Sequence, residues 1–163
     1  MKHFLLSIIC LITFSSAVAQ SVGYTYKALA AEGCSVKYSA LWQDGQPYIV
    51  VVVSSDRLVF NDTPIMMMRL FNGELIKSEG KAVNTTTSQG GRIIGKVVVP
   101  DTELQVTAQF PITKQQVDML YNGVAKIRIT TLPLTHERTF KRDKIGEKLY
   151  YFFQEGAQSE DDF

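Results

Sequence analysis

Through most of this sequence, apolar side chains recur at every second position. In 104–110, Leu104, Val106, Ala108 and Phe110 alternate with Gln105, Thr107 and Gln109. In 35–42, Val36, Tyr38, Ala40 and Trp42 share one side, with Lys37 and Ser39 on the other. In 124–131, Ala125, Ile127 and Ile129 alternate with Lys126, Arg128 and Thr130. A period of two sends successive side chains to opposite faces of a strand, so each run predicts a strand with one buried face. The runs are separated by short turn signals: Asp44-Gly45-Gln46-Pro47, Ser54-Ser55-Asp56, Asn61-Asp62-Thr63-Pro64, Asn72-Gly73 and Pro100-Asp101-Thr102. Short turns join antiparallel neighbours, whereas parallel strands need a long crossover. The pattern therefore predicts a mainly β, β-rich α+β chain of about eight or nine strands in an antiparallel, sandwich-like arrangement, with two short peripheral helices.

Several elements carry more specific expectations. The β-branched run within 48–53 predicts a central strand covered on both faces. A strand over 65–71 contains Met66-Met67-Met68, of which only Met66 and Met68 share a face, so packing is expected of them. Asn72-Gly73 predicts a type I′ hairpin, because both central residues of that turn need positive φ. The polar stretch NTTTSQGG at 84–91 predicts a flexible loop between two halves of the β region. Strand resumes at 92–99, with Gly95 a candidate bulge. The first helix, 114–121, has Thr113 as cap, Gln116 completing a capping box, Ile112 and Val117 as a staple, and Gly123 as a stop. The spacing of Ile145, Leu149, Phe152 and Phe153 predicts the second helix over 143–155, ending near Gly156. Trp42 and Tyr38 are expected in the sheet core; with Tyr24, Tyr26 and Tyr48 they form an aromatic cluster whose alternative role is stacking on a sugar or a partner.

The chain has 163 residues. Residues 1–19 have the three parts of an export leader: Lys2, an apolar run over 4–14, and Ala17-Val18-Ala19 before Gln20. That run is too short to span a bilayer. Cys10 lies inside it after Ile9, which argues against a lipidated cysteine and leaves Cys34 as the mature chain's single thiol. The expected organisation is a cleaved leader over 1–19, one β-rich domain over 20–156, and an acidic tail over 157–163. The expected location is the periplasm or the cell exterior, with no transmembrane segment after cleavage.

Of the 17 basic residues only Lys2 lies in the leader, so the mature part balances its 16 acids and carries no net charge. Neutrality argues against nucleic acid as a partner, since a basic field supplies most of that affinity. No phosphate-cradling glycine loop, CxxC, HExxH or GxSxG is present. Cys34 and His136 are about a hundred residues apart, with nothing local to join them as a catalytic dyad. No catalytic residue, metal or cofactor is assigned. The candidate partner-binding residues are the basic cluster Arg138, Lys141, Arg142, Lys144 and Lys148, interleaved with Glu137, Asp143 and Glu147; the alternative is an ordinary solvated face. Asn61-Asp62-Thr63 and Asn84-Thr85-Thr86 match the N-glycosylation sequon.

The runs FPITKQQVDMLYNGVAKIRI and FKRDKIGEKLYYFF, within 110–153, resemble the C-terminal part of small exported bacterial proteins known only as domains of unknown function. The Ala17-Val18-Ala19-Gln20 region is similar to leaders of Gram-negative envelope proteins. The resemblance implies the strand–helix–strand–helix order already read and brings no catalytic residues. The expectation is an exported non-enzymatic protein that binds another envelope protein or a glycan. The alternatives are an enzyme on extracellular polymers with an acid pair that spacing cannot reveal, and a structural component that oligomerises through a sheet edge.

Overall fold

The computed structural model describes residues 20–26, 34–55, 58–94 and 97–160. The expected leader at 1–19, Gly95 and the last residues of the expected tail lie outside the described residues. Nine strands are described: β1 (Ser21–Tyr26), β2 (Cys34–Gln43), β3 (Gln46–Ser55), β4 (Ile65–Leu70), β5 (Leu75–Glu79), β6 (Lys81–Ile94), β7 (Val97–Pro111), β8 (Val124–Ile129) and β9 (His136–Thr139). Helix α1 (Lys114–Met119) precedes β8, and α2 (Gly146–Glu160) follows β9. The strands form a five-stranded sheet in the order β1-β2-β3-β7-β6 and a four-stranded sheet in the order β5-β4-β8-β9, with every named pair antiparallel. The chain is thus the β-rich α+β fold that the alternation predicts.

One apolar core joins the two sheets. The five-stranded sheet contributes Val36 and Tyr38, then Ile49, Val51 and Val53, then Val106, Ala108 and Phe110; the four-stranded sheet contributes Met66, Met68, Leu70, Ile76, Ile127 and Ile129. Each strand's set is spaced by two, as a pleated strand requires. Val117 and Leu120 from the first helical segment, Ile145 just before α2, and Leu149 and Phe153 along α2 complete the cluster. Burying a large aliphatic side chain contributes about 1.5–3 kcal/mol, so the alternation is the main source of stability.

The capping box of α1 is realised, while the helix stops at Met119 and not at 121. Thr113 accepts from the Gln116 N–H at 3.1 Å, and the Gln116 side chain accepts from the Thr113 N–H at 2.9 Å. Ile112 and Val117 are both buried. A short 3-10 turn over 120–122 follows, and Gly123 turns the chain with φ +71° and an extended ψ of 154°, not a left-handed helical pair.

Several local expectations are corrected. Positive φ at both central residues belongs to Asp44 (52°) and Gly45 (71°), not to Asn72-Gly73. At the latter only Gly73 is positive, at 92°. The Gly73 N–H donates to the Leu70 carbonyl at 3.1 Å and the Leu70 N–H to Glu74 at 2.9 Å, so the loop is one residue longer. The Asn72 side chain accepts from the Glu74 N–H, stabilising that longer turn in the way Asn side chains commonly do. β3 is central but has one buried face; Val50 and Val52 are half-buried between Ser39 and Lys37 on one side and Gln109 and Thr107 on the other.

The largest correction is at 84–103. The expected loop at 84–91 is strand, inside β6, and the expected turn at Pro100-Asp101-Thr102 is strand, inside β7. The two pair from Lys81↔Gln109 to Ile94↔Val97, with one register shift between Ala82 and Asn84. Three consecutive threonines favour extended backbone, and the partner strand outweighs the local glycines. Among the described residues β3 pairs with β7 only as far as Leu104, so no described strand needs an N–H from Pro100 on that side. Finally, α2 runs on through Gly156. A Cβ at Gly156 would lie 2.9 Å from Trp42 Cδ1, so this glycine marks a close approach and not a helix end.

Candidate functional site

The four-stranded sheet has one face in the core and one open. Register fixes what the open face displays. One row across the strands reads Leu75, Arg69, Lys126, Thr139; the next reads Lys77, Met67, Arg128, Glu137. Neighbouring strands are about 4.8 Å apart, so the cations of adjacent strands stand side by side. Met67, Arg69, Leu75, Lys126 and Arg128 line a shallow depression of about 200 Å³. Leu75 is 47% exposed, which gives the depression an apolar floor beside its charges.

Among the described residues of these two rows, Glu137 is the single carboxylate facing four cations. It lies 2.5 Å from Lys126 Nζ and 2.6 Å from an Arg128 terminal nitrogen, and the Arg128 Nε–H also donates to it at 2.8 Å. Hydrogen bonds from Lys126 and Arg128 hold its carboxyl below the usual range. One carboxylate satisfies part of this charge, and Arg69 and Lys77 extend the positive field beyond it.

The cluster singled out from sequence is distributed differently. Arg138 pairs in register with Ile127, on the opposite face of β9 from Glu137, and its guanidinium lies 5.9 Å from the centre of the Tyr24 ring. Lys141, Arg142 and Lys144 are exposed on the segment between β9 and α2, and Lys148 is exposed on α2. Arg138 is therefore set apart from the open sheet face by the pleat of β9.

Asp143, within that segment, is a structural hub. Its Oδ1 accepts N–H groups from Val124 (2.8 Å), Ile145 (3.1 Å) and Gly146 (2.9 Å), and its Oδ2 accepts from Glu147 (2.8 Å). Burial pushes its carboxyl up, but the backbone donors outweigh this and hold it below the usual value. The same side chain caps α2 and fixes the start of β8.

A second polar cluster bridges the two sheets. The Tyr24 hydroxyl on β1 shares hydrogen bonds with Tyr38 (2.9 Å) and with His136 Nε2 on β9 (2.7 Å). Burial pushes the Tyr24 phenol up to about 12, and burial with the nearby Arg138 guanidinium pushes His136 down to about 4. Both groups are neutral at pH 7. His136 is thereby engaged with Tyr24; the side chain of Cys34, the other member of the dyad disfavoured on sequence, lies outside the described residues. Tyr38 is buried in the core, as expected. Trp42 is half-buried, with its indole N–H donating to the Phe153 carbonyl at 2.9 Å.

Among the described residues, no group of three or more His, Cys, Asp or Glu is placed to hold a metal ion. No described helix is long and apolar enough to cross a membrane. The open cationic face escapes sequence reading because Arg69, Lys77, Lys126 and Arg128 come from three strands. The usable signal was the outward half of each alternation, Met67-x-Arg69 and Lys126-x-Arg128. No family model, curated protein or solved structure matches the chain.

Proposed function

We propose that this chain is an exported, non-enzymatic binding protein that holds an anionic partner on the open face of its four-stranded sheet. The leader-like 1–19 supports export. The observation that carries the binding reading is the depression in which Arg69, Lys126 and Arg128 surround Met67 and Leu75. Cations set on a rigid sheet recognise regularly spaced anionic groups, and the apolar floor adds contact area that a purely solvated charged face lacks. An acidic envelope protein or an anionic glycan both meet this description.

The test is retention of the mature protein on immobilised polygalacturonate and on poly-glutamate, with dextran as the neutral control. Binding is expected on at least one anionic matrix and to weaken steeply with salt, as charge-driven contacts do once the Debye length falls below about 10 Å. The Arg69→Ser/Arg128→Ser variant is expected to lose retention. A variant carrying Lys141→Gln, Arg142→Gln, Lys144→Gln and Lys148→Gln is expected to keep it. Equal retention by wild type and the Arg69→Ser/Arg128→Ser variant, or none on either anionic matrix, overturns the reading.

A further inference from the structure

The two sheets have four edge strands, and one is unlike the rest. β1 has six residues, β5 has five including Lys77 and Glu79, and β9 has four including Glu137 and Arg138. Short length and charge are the usual ways a sheet edge is kept from pairing with another chain. β6 has 14 residues. Between Lys81 and Arg92 it carries no charged residue and no proline, and its one irregularity is a register shift between Ala82 and Asn84. β7 pairs along one side of β6; on the other side the Ala82 N–H donates to the Asp62 carbonyl at 3.4 Å, and beyond Ala82 no strand pairs among the described residues.

From these observations we infer that the outer edge of β6 is an interaction surface for a second copy of this chain. The two β6 strands pair antiparallel about a two-fold axis, and the two five-stranded sheets become one continuous sheet. An antiparallel edge is self-complementary under a two-fold, since each residue meets on the other copy the residue that it is itself met by. The charge pattern suits this occupant. With the axis at Thr86, Thr85 stands opposite Thr87 of the second copy and Asn84 opposite Ser88, and 82–91 carries no charge, so no like charges face each other along this run. Cross-strand Thr–Thr pairs are favourable in sheets. An acidic or basic peptide would find no counter-charge along this run. The surface lies on the other sheet from the cationic face, so the two proposals stand or fall separately.

The experiment is sedimentation velocity of the mature protein over a concentration series up to about 200 µM. Three proteins are compared: wild type, Thr85→Lys/Thr87→Lys, and a variant in which 88–103 is replaced by Asn-Gly. The lysine pair sets like charges against each other across the axis while leaving the β6–β7 backbone ladder intact. The shortened hairpin removes much of the edge by a different route. Circular dichroism and melting temperature confirm that each variant is folded. Wild type is expected to dimerise with concentration, and both variants to need at least about tenfold more protein for the same dimer fraction. A wild type that stays monomeric throughout, or a dimer that survives equally in the folded lysine variant, overturns the proposal. The far end of the hairpin carries Ile93, Ile94, Val97, Val98 and Val99. A monomer that floats with phosphatidylglycerol vesicles assigns the hairpin to lipid and likewise overturns it.

Discussion

Replacing Asp143 tests how the second helix is tied to the sheet. In Asp143→Ala, four backbone donors lose their acceptor, and one of them belongs to Val124, which is fully buried. Loss of a helix cap costs about 1 kcal/mol, and leaving a buried N–H without a partner costs about 1–3 kcal/mol. Asp143 is only half-buried, and solvent screening keeps the total near the lower end, at about 2–3 kcal/mol. In a domain of this size each kcal/mol shifts the midpoint by roughly 2–4 °C, so Asp143→Ala is expected to melt about 5–10 °C lower. Asp143→Asn keeps one carbonyl oxygen but sets an NH2 group toward the Glu147 N–H, and about half the loss is expected.

The effect also has a pH signature. The folded carboxyl titrates below its ordinary value, so its contribution is fully present above the unfolded pKa of about 4 and fades as pH falls through the lower folded value. Urea denaturation at pH 7, 5 and 3 is expected to show the wild-type advantage over Asp143→Ala at the first two and a reduced advantage at the third. A variant within about 0.5 kcal/mol of wild type at pH 7 refutes the hub. So does an advantage that grows as pH falls.

Three further outcomes follow from the same structure. His136 titrates near 4 when folded, below its unfolded value of about 6.5, so its effect on stability is constant above that value and unfavourable as pH falls through the interval. Urea titrations of wild type and His136→Gln should show up to about 3 kcal/mol of pH-dependent loss that the variant lacks. Gly156→Ala gains helix propensity of about 1 kcal/mol but forces a Cβ against Trp42, so it is expected to be net destabilising and to shift the emission of that single tryptophan. Met66→Ala, in the core, is expected to cost about 2–5 kcal/mol, while Met67→Ala, on the open face, costs under about 1 kcal/mol; equal losses in chemical denaturation would contradict the assigned faces.

What could be read from the sequence was whatever depends on neighbours close along the chain. The Thr113–Gln116 box, the sorting of Met66 and Met68 from Met67, and the strands flanking them need only a few residues of context. What could not be read depends on distant partners. Asn84–Gly91 looks like a loop until β7 is beside it, and Pro100 looks like a turn until its pairing with Gly91 is known. Gly156 resembles a helix stop because nothing local announces Trp42. The open cationic face belongs to the same class: register, not spacing, sets Arg69 beside Lys126 and Arg128 beside Glu137. Asp143, seen in sequence as one acid among basic residues, serves backbone groups on two elements.

The proposed binding surface can be located by amide chemical-shift mapping of the 15N-labelled protein without residues 1–19 during titration with short polygalacturonate and with oligo-glutamate. The account predicts salt-sensitive shifts confined to Met67, Arg69, Leu75, Lys126, Arg128 and their strand neighbours. Shifts confined to 138–148, or a spectrum unchanged by either anion, would contradict it.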